Sequence, residues 1–259
     1  MIINELKRIK EVQAGLETQI KTLKEHLVNI ERLLSQKLEQ PARKNGKTIL
    51  LNPGHGQFKD GEYTTAGKRC LHQTQHKFHK EELGELASNI FYEGVFNYDF
   101  CKIYLSPKLV EAGFDVIFIG YQDGRDMPLF DRAKEVNRLS KTNDCILLDV
   151  HANAHNGGAR GFQVHTSEGQ TESDIIADHF LQTAQAGLSI PVRRYSPKQY
   201  EGDFPSRFYM NRKTSCPSIT IETEFFDNLH GALYLDSHIG KEELSDVIVS
   251  GLKNYIYTL

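Results

Sequence analysis

Three short apolar runs end on residues that can hold a metal ion, and this recurrence constrains the fold more than any other feature of the sequence. Thr48-Ile49-Leu50-Leu51 reads as a buried strand closed by Asn52-Pro53-Gly54, which cannot continue one, so His55 is presented where a strand ends. Cys145-Ile146-Leu147-Leu148-Asp149-Val150 runs in the same way into His151, and Ser218-Ile219-Thr220-Ile221 runs into Glu222. Ligands collect outside the carboxyl ends of strands in open α/β sheets, so the three ends are expected to converge on one site. The expected fold is α/β: a mixed twisted sheet covered by helices on both faces, preceded by an N-terminal coiled-coil helix.

That helix is read from a seam alternating in steps of four and three: Ile2, Leu6, Ile9, Gln13, Leu16, Ile20, Leu23, Leu27, Ile30 and Leu34. Heptads sustained in this way predict self-association through residues 2–38, with Gln13 as the polar seam residue that fixes register or strand number. A helix folded back on its own domain would need a broader apolar face. Gln40-Pro41-Ala42-Arg43-Lys44-Asn45-Gly46 breaks the period. The expected organisation is therefore a helix over 1–40, a linker over 41–46 and a main domain over 47–259.

Charge divides along the same line. Residues 1–46 carry nine of the 31 Lys and Arg and six of the 34 Asp and Glu, leaving 22 basic against 28 acidic residues in the main domain. An acidic domain argues against a nucleic-acid partner. The four cysteines, Cys70, Cys101, Cys145 and Cys216, have neither CxxC spacing nor a pairing pattern. They read as free thiols of a chain made in a reducing compartment. Met-Ile-Ile-Asn-Glu-Leu-Lys-Arg has no uninterrupted apolar stretch, so it is expected to be neither a signal peptide nor a membrane span.

Beyond the first strand, residues 69–92 read as partly helical and carry His72, His76 and His79 at helical spacing; these form either a second metal-binding face or a solvated one. Glu93 opens a longer helix in which Phe96, Phe100, Ile103, Pro107 and Val110 recur, with a bend expected at Pro107. A strand over 114–119 and a helix over Leu129–Leu139 precede the His151 strand. An alternating strand over 161–165 and a helix over 173–187 follow it. Residues 193–213 show no clear period and read as a cleft wall. The last helix turns Leu244, Val247, Ile248, Gly251, Leu252, Tyr255 and Ile256 inward.

Zinc in hydrolases is typically held by three side chains of His and carboxylate type, with a fourth position left to water. His55 and His151 supply two nitrogens. The third ligand should be an acid on a neighbouring element, and a second acid must take the water's proton. Glu222, at the end of a buried strand, is costly there unless it has a task.

The ordered motifs resemble the zinc-dependent N-acetylmuramoyl-L-alanine amidases of the amidase-3 type over roughly residues 47–258. Ile49-Leu50-Leu51-Asn52-Pro53-Gly54-His55-Gly56 is similar to the family's opening strand and first zinc histidine, and Glu93 with Asn97 on the next turn to its glutamate ligand. Leu129, Arg132 and Asn137 fall at the spacing of its Leu, Arg and Asn helix. His151-Ala152-Asn153 resembles the segment of its third ligand, and Arg212 to Pro217 leading into Ile221-Glu222-Thr223-Glu224-Phe225 the segment of its catalytic glutamate. The segment between His55 and Glu93 is longer than in the family, so Glu81, Glu82 and Glu85 compete with Glu93. Asp149 and Glu224 stand where the family has small or apolar residues, and both are expected to add negative charge near the metal. Ile119-Gly120 replaces the family's Thr-Arg pair.

The resemblance implies zinc (Zn2+) held by His55, Glu93 and His151, with Glu222 as the catalytic base. It implies hydrolysis of the amide joining N-acetylmuramic acid to L-alanine in peptidoglycan, with Arg193, Arg194, Arg207 and Arg212 as candidate contacts to substrate carboxylates. A cell-wall enzyme without an export signal suits an endolysin of phage or prophage origin, made in the cytoplasm and released at lysis. A zinc peptidase cutting within the stem peptide, a catalytically silent amidase-like module and a coiled-coil oligomeriser are the competing readings.

Overall fold

Alternate residues of the first strand enter different cores. The computed structural model describes residues 46–80, 87–195 and 202–258, together with Gln19; Lys44–Leu259 form one compact unit. The whole heptad seam, together with Glu81, Glu82 and Glu85, lies outside the described residues. In strand β1 (Thr48–Pro53), Ile49 and Leu51 join a large apolar cluster and Leu50 a smaller one, as the two-residue period of a strand requires. Both faces of the strand are thus covered.

After the His55 turn come two short strands, β2 (Phe58–Lys59) and β3 (Glu62–Tyr63), paired with each other. Strands β4 (Arg69–Leu71) and β5 (Ile90–Tyr92) pair antiparallel. These strands bound most of the stretch expected to be partly helical, and the rest of that expectation, over 81–86, lies outside the described residues. Helix α1 (Glu93–Asp99) continues through a π-helical segment, Phe100–Leu105, into α2 (Ser106–Glu111). Strand β6 (Asp115–Phe118), helix α3 (Leu129–Leu139) and strand β7 (Cys145–Asn153) follow. The chain then forms β8 (Gln163–Ser167), α4 (Glu172–Gly187), β9 (Phe204–Ser206), α5 (Tyr209–Lys213) and β10 (Ser218–Phe225). It closes with α6 (Leu229–Asp236) and α7 (His238–Ile256).

The main sheet has the order β6-β1-β7-β10-β8-β9. Strands β6, β1, β7 and β10 are parallel, β8 is antiparallel to β10, and β9 runs parallel to β8. Phe96 of α1, Leu109 of α2, Phe180 of α4 and Ile248 of α7 pack with Ile49 and Leu51. Ala133 and Val136 of α3 and Met210 of α5 pack with Leu50 and Leu147 on the other side. Helices therefore cover both faces of a mixed sheet, as expected. No helix among the described residues is long and apolar enough to cross a membrane.

The helical run starting at Glu93 departs from its expected seam. Pro107 has no N–H to donate, and its ring conflicts with the carbonyl four residues back, that of Ile103. The helix widens into the π segment just before it, where the Ser106 N–H donates to the Cys101 carbonyl. The inward row consequently shifts by one residue. Phe96 and Phe100 are buried and are followed by Cys101, Leu105 and Leu109, while Ile103 and Val110 are 47% and 52% exposed. Residues 193–213, expected to be irregular, contain β9 and α5. The closing helix is α7, in which Leu244, Val247, Ile248, Gly251, Leu252 and Tyr255 are buried as expected; the Ser237 hydroxyl between α6 and α7 accepts from Gly240 N and caps it.

Candidate metal centre

His55 adopts a left-handed backbone conformation, φ 68°, immediately after β1. Non-glycine residues rarely take it, and they keep it chiefly where function requires it. The turn is fastened from both sides: Gly54 N donates to the Val150 carbonyl of β7, and the Gly54 carbonyl accepts from Asn97 Nδ2 of α1. Arg132 of α3 donates to the carbonyls of Pro53 and His55. Two glycines are needed here for close approach. A Cβ on Gly54 would stand 2.1 Å from His151 Cε1, and one on Gly94 would stand 1.9 Å from the Gly56 carbonyl oxygen. Glycine thus lets the His151 ring lie against the turn and lets α1 begin against the His55 loop.

The result is a three-residue cluster drawn from distant parts of the chain. Glu93 Oε1 lies 3.2 Å from His55 Nε2 and 3.1 Å from His151 Nδ1. The two imidazoles meet edge to face with centroids 4.9 Å apart. One ligand atom from each of His55, Glu93 and His151 falls within 4.8 Å of the others. Glu222 is the register partner of His151 on the adjacent strand β10. All four residues expected from the sequence stand at one end of the sheet.

Electrostatics fit a divalent cation. Burial opposes charge on Glu93, but the His151 hydrogen bond and the His55 imidazole beside it outweigh burial and hold the carboxyl down to about 2. Burial also opposes charge on His151, yet Asp149, with Glu93 and Glu222, raises it well above the ordinary histidine value. His55 Nε2, Glu93 Oε2 and Glu222 Oε2 are buried without a hydrogen bond, an expensive arrangement unless something else binds there. Nitrogen and carboxylate donors in this number match zinc. Glu222 behaves differently: burial pushes its carboxyl up to about 8, against the pull of His151.

A cleft of about 420 Å³ opens beside His55 and His151, walled by Met127, Pro128 and Leu129. Lys68 reaches the cluster as well, its Nζ 3.5 Å from Glu93 Oε2. The sequence held no signal for Lys68, because its position depends on the short strands after β1. Arg132, which the sequence placed in the family's Leu, Arg and Asn helix, is 2% exposed on α3.

Other expected residues go elsewhere. His72 Nε2 donates to the Phe226 carbonyl, His76 pairs with Asp236 at 2.7 Å, and His79 Nε2 accepts from Tyr92 N. The three histidines therefore tie loops together and form no metal-binding face. Glu224, expected to add charge near the metal, accepts from Arg160 Nε, Gly161 N and Phe225 N, none of them in the cluster. A bulge in β10 between Glu222 and Phe225 separates the two glutamates. Arg207 pairs with Glu168, and Arg193 lies over the Phe225 ring. Among the described residues, neither these two nor Arg194 or Arg212 forms an ion pair with the cluster.

Comparison with known proteins identifies the family and the fold. Residues 49–254 match the family model described as N-acetylmuramoyl-L-alanine amidase. An N-acetylmuramoyl-L-alanine amidase from Clostridium difficile 630 has the same fold, with TM-score 0.62 and 21% identity over 83% of this chain and 99% of that one. Ami1 from Mycobacterium smegmatis superposes with TM-score 0.63 and 18% identity over 85% and 100%. The catalytic domain of the CD27L endolysin targeting Clostridia difficile superposes with TM-score 0.54 and 18% identity over 80% and 97%. No curated protein matches the sequence.

Proposed function

The chain belongs to the N-acetylmuramoyl-L-alanine amidase family, and on that premise we propose that it hydrolyses the amide between N-acetylmuramic acid and L-alanine in peptidoglycan, using zinc held by His55, Glu93 and His151. The observation that carries this reading is the carboxylate of Glu93 set between two imidazoles, with the Glu222 carboxyl on the neighbouring strand. When bound, zinc supplies a Lewis acid for the carbonyl and lowers the pKa of a bound water toward about 7.

The chain's own residues do the rest. Glu222 takes the proton of the attacking water and passes it to the departing amine. Burial raises its carboxyl, and a neighbouring cation draws it back toward the ionised form that accepts a proton. Gly54 and Gly94 let the ligand-bearing elements approach, and Asn97 and Arg132 hold the turn that carries His55. Lys68 places a cation beside Glu93 at the edge of the centre. Residues 2–38 act as a multimerising helix that raises avidity for a polymeric wall, in an enzyme that meets its substrate at lysis as an endolysin does.

Digestion of purified peptidoglycan with and without a chelator, with the released ends read by mass spectrometry, tests this reading. Free L-alanine amino termini and intact muramic lactyl carboxylates are expected, and only without chelator. New termini inside the stem peptide would instead identify a peptidase, and no release at all a silent module.

A further inference from the structure

One row of the sheet below His151 is polar across four adjacent strands. Asn52 of β1, Asp149 of β7, Thr220 of β10 and His165 of β8 are register partners across four strands. Asp149 is 4% exposed. Its Oδ1 accepts from Asn52 Nδ2 at 2.6 Å and its Oδ2 from Thr220 Oγ1 at 3.1 Å. Asn52 Oδ1 accepts in turn from Arg132 Nη1 at 2.6 Å. This carboxylate therefore cannot swing away: hydrogen bonds hold it from both neighbouring strands.

Two residues on, along the same face of β7, His151 stands between two carboxylates. Its Nδ1 is 3.1 Å from Glu93 Oε1, and its Nε2 is 3.3 Å from Asp149 Oδ1. Gly54 backs the ring, so close that even a methyl group could not fit between them. We propose that Asp149 is a positioning residue: it receives the Nε2–H of His151, fixes that tautomer and ring orientation, and so presents Nδ1 to the metal. A histidine that binds metal through one nitrogen commonly donates from the other to a carboxylate or carbonyl, and such partners fix the tautomer and raise ligand basicity. Here the clamp lies within the ligand's own strand, and the chain from Arg132 through Asn52 to Asp149 ties it to α3, which also holds the His55 carbonyl. Both histidines are thus positioned from one guanidinium.

This inference rests on the metal reading above, and its tests keep the two apart. In zinc-loaded wild-type protein, a long-range 1H–15N correlation spectrum should show His151 protonated at Nε2 and metal-bound at Nδ1. The opposite tautomer overturns the proposal without touching the metal site, and needs no variant. Asp149→Asn, titrated with zinc against a competing chelator, should bind roughly 10–100-fold more weakly and give an altered absorption spectrum when loaded with cobalt. If Asp149 merely clasps β1 and β10 to β7, Asp149→Asn would unfold more easily without metal yet bind zinc as tightly as wild type, and that result overturns the proposal. A wild-type protein that takes up no zinc would overturn this inference and the metal reading together.

Discussion

Glu93 Oε1 and His151 Nδ1 stand 3.1 Å apart although 58 residues separate them in sequence. The contact joins the first residue of α1 to the carboxyl-terminal end of β7, and His55 completes it from the β1 turn. Removing the charge at its centre is the sharpest local perturbation available. Glu93→Gln should weaken zinc binding by more than the roughly 10–100-fold that outer partners typically contribute, as read by competition titration. Unchanged affinity would remove Glu93 from the ligand set.

The glycines of the site give a packing prediction. Gly54→Ala places a methyl carbon 2.1 Å from His151 Cε1, and Gly94→Ala one 1.9 Å from the Gly56 carbonyl oxygen. Each should cost about 1–3 kcal/mol, the usual scale of overpacking. Gly54→Ala should also lower zinc affinity, because the ring that must move carries a ligand. Denaturant unfolding of the metal-free protein and zinc titration of each variant check this. Wild-type values for both would show that the site has slack the structure does not contain.

Acid sensitivity should arise partly from His79. Burial drives its imidazole down to about 4 from an ordinary 6.5, with Asp236 opposing the shift, and its Nε2 accepts from Tyr92 N as a neutral ring must. Because the folded value lies below the unfolded one, the unfolded chain takes up the proton first as pH falls. His79 therefore costs no stability above pH 6.5, and stability is lost progressively as the pH drops from there to 4, by about 3 kcal/mol in total. Unfolding curves of wild type and His79→Gln measured between pH 7 and pH 4 should converge toward acid. Parallel curves would mean that His79 is not buried in its neutral form.

Much of this was legible in the sequence, for reasons that also show where legibility ends. Runs such as Ile49-Leu50-Leu51 and Cys145 to Val150 declare strands because they pack on both faces, but the strands outrun the expected ends: β1 continues through Asn52 and Pro53, which still pair with β7, and β7 continues through His151 to Asn153. His55, His151 and Glu222 follow directly. Glu93 was accessible only through its family resemblance and Asn97, which turns out to fasten α1 to the Gly54 carbonyl. The one-residue shift at Cys101, Leu105 and Leu109 was hidden, since Pro107 announces a disturbance but not its direction. That Glu224 is held by Arg160 and Gly161 was hidden, since it follows from a bulge in β10 between Glu222 and Phe225, invisible to a period of two. The place of Lys68 beside Glu93 depends on how the short strands after β1 pair, which no single segment encodes.

The heptad seam over residues 2–38 predicts association. Sedimentation equilibrium of the full chain should give a defined oligomer, and deletion of residues 1–43 should give a monomer with the same turnover on small soluble muropeptides but weaker activity on intact walls. A monomeric full chain would return this helix to the fold-back alternative.

The most direct measurement compares wild type and Glu222→Gln for zinc content and amide hydrolysis in the same preparation. One zinc per chain in both, with turnover in the variant reduced roughly 10²–10⁴-fold, the usual contribution of a general acid and base, is the expected result. Normal hydrolysis by Glu222→Gln, or hydrolysis by wild-type protein stripped of all metal, would contradict it.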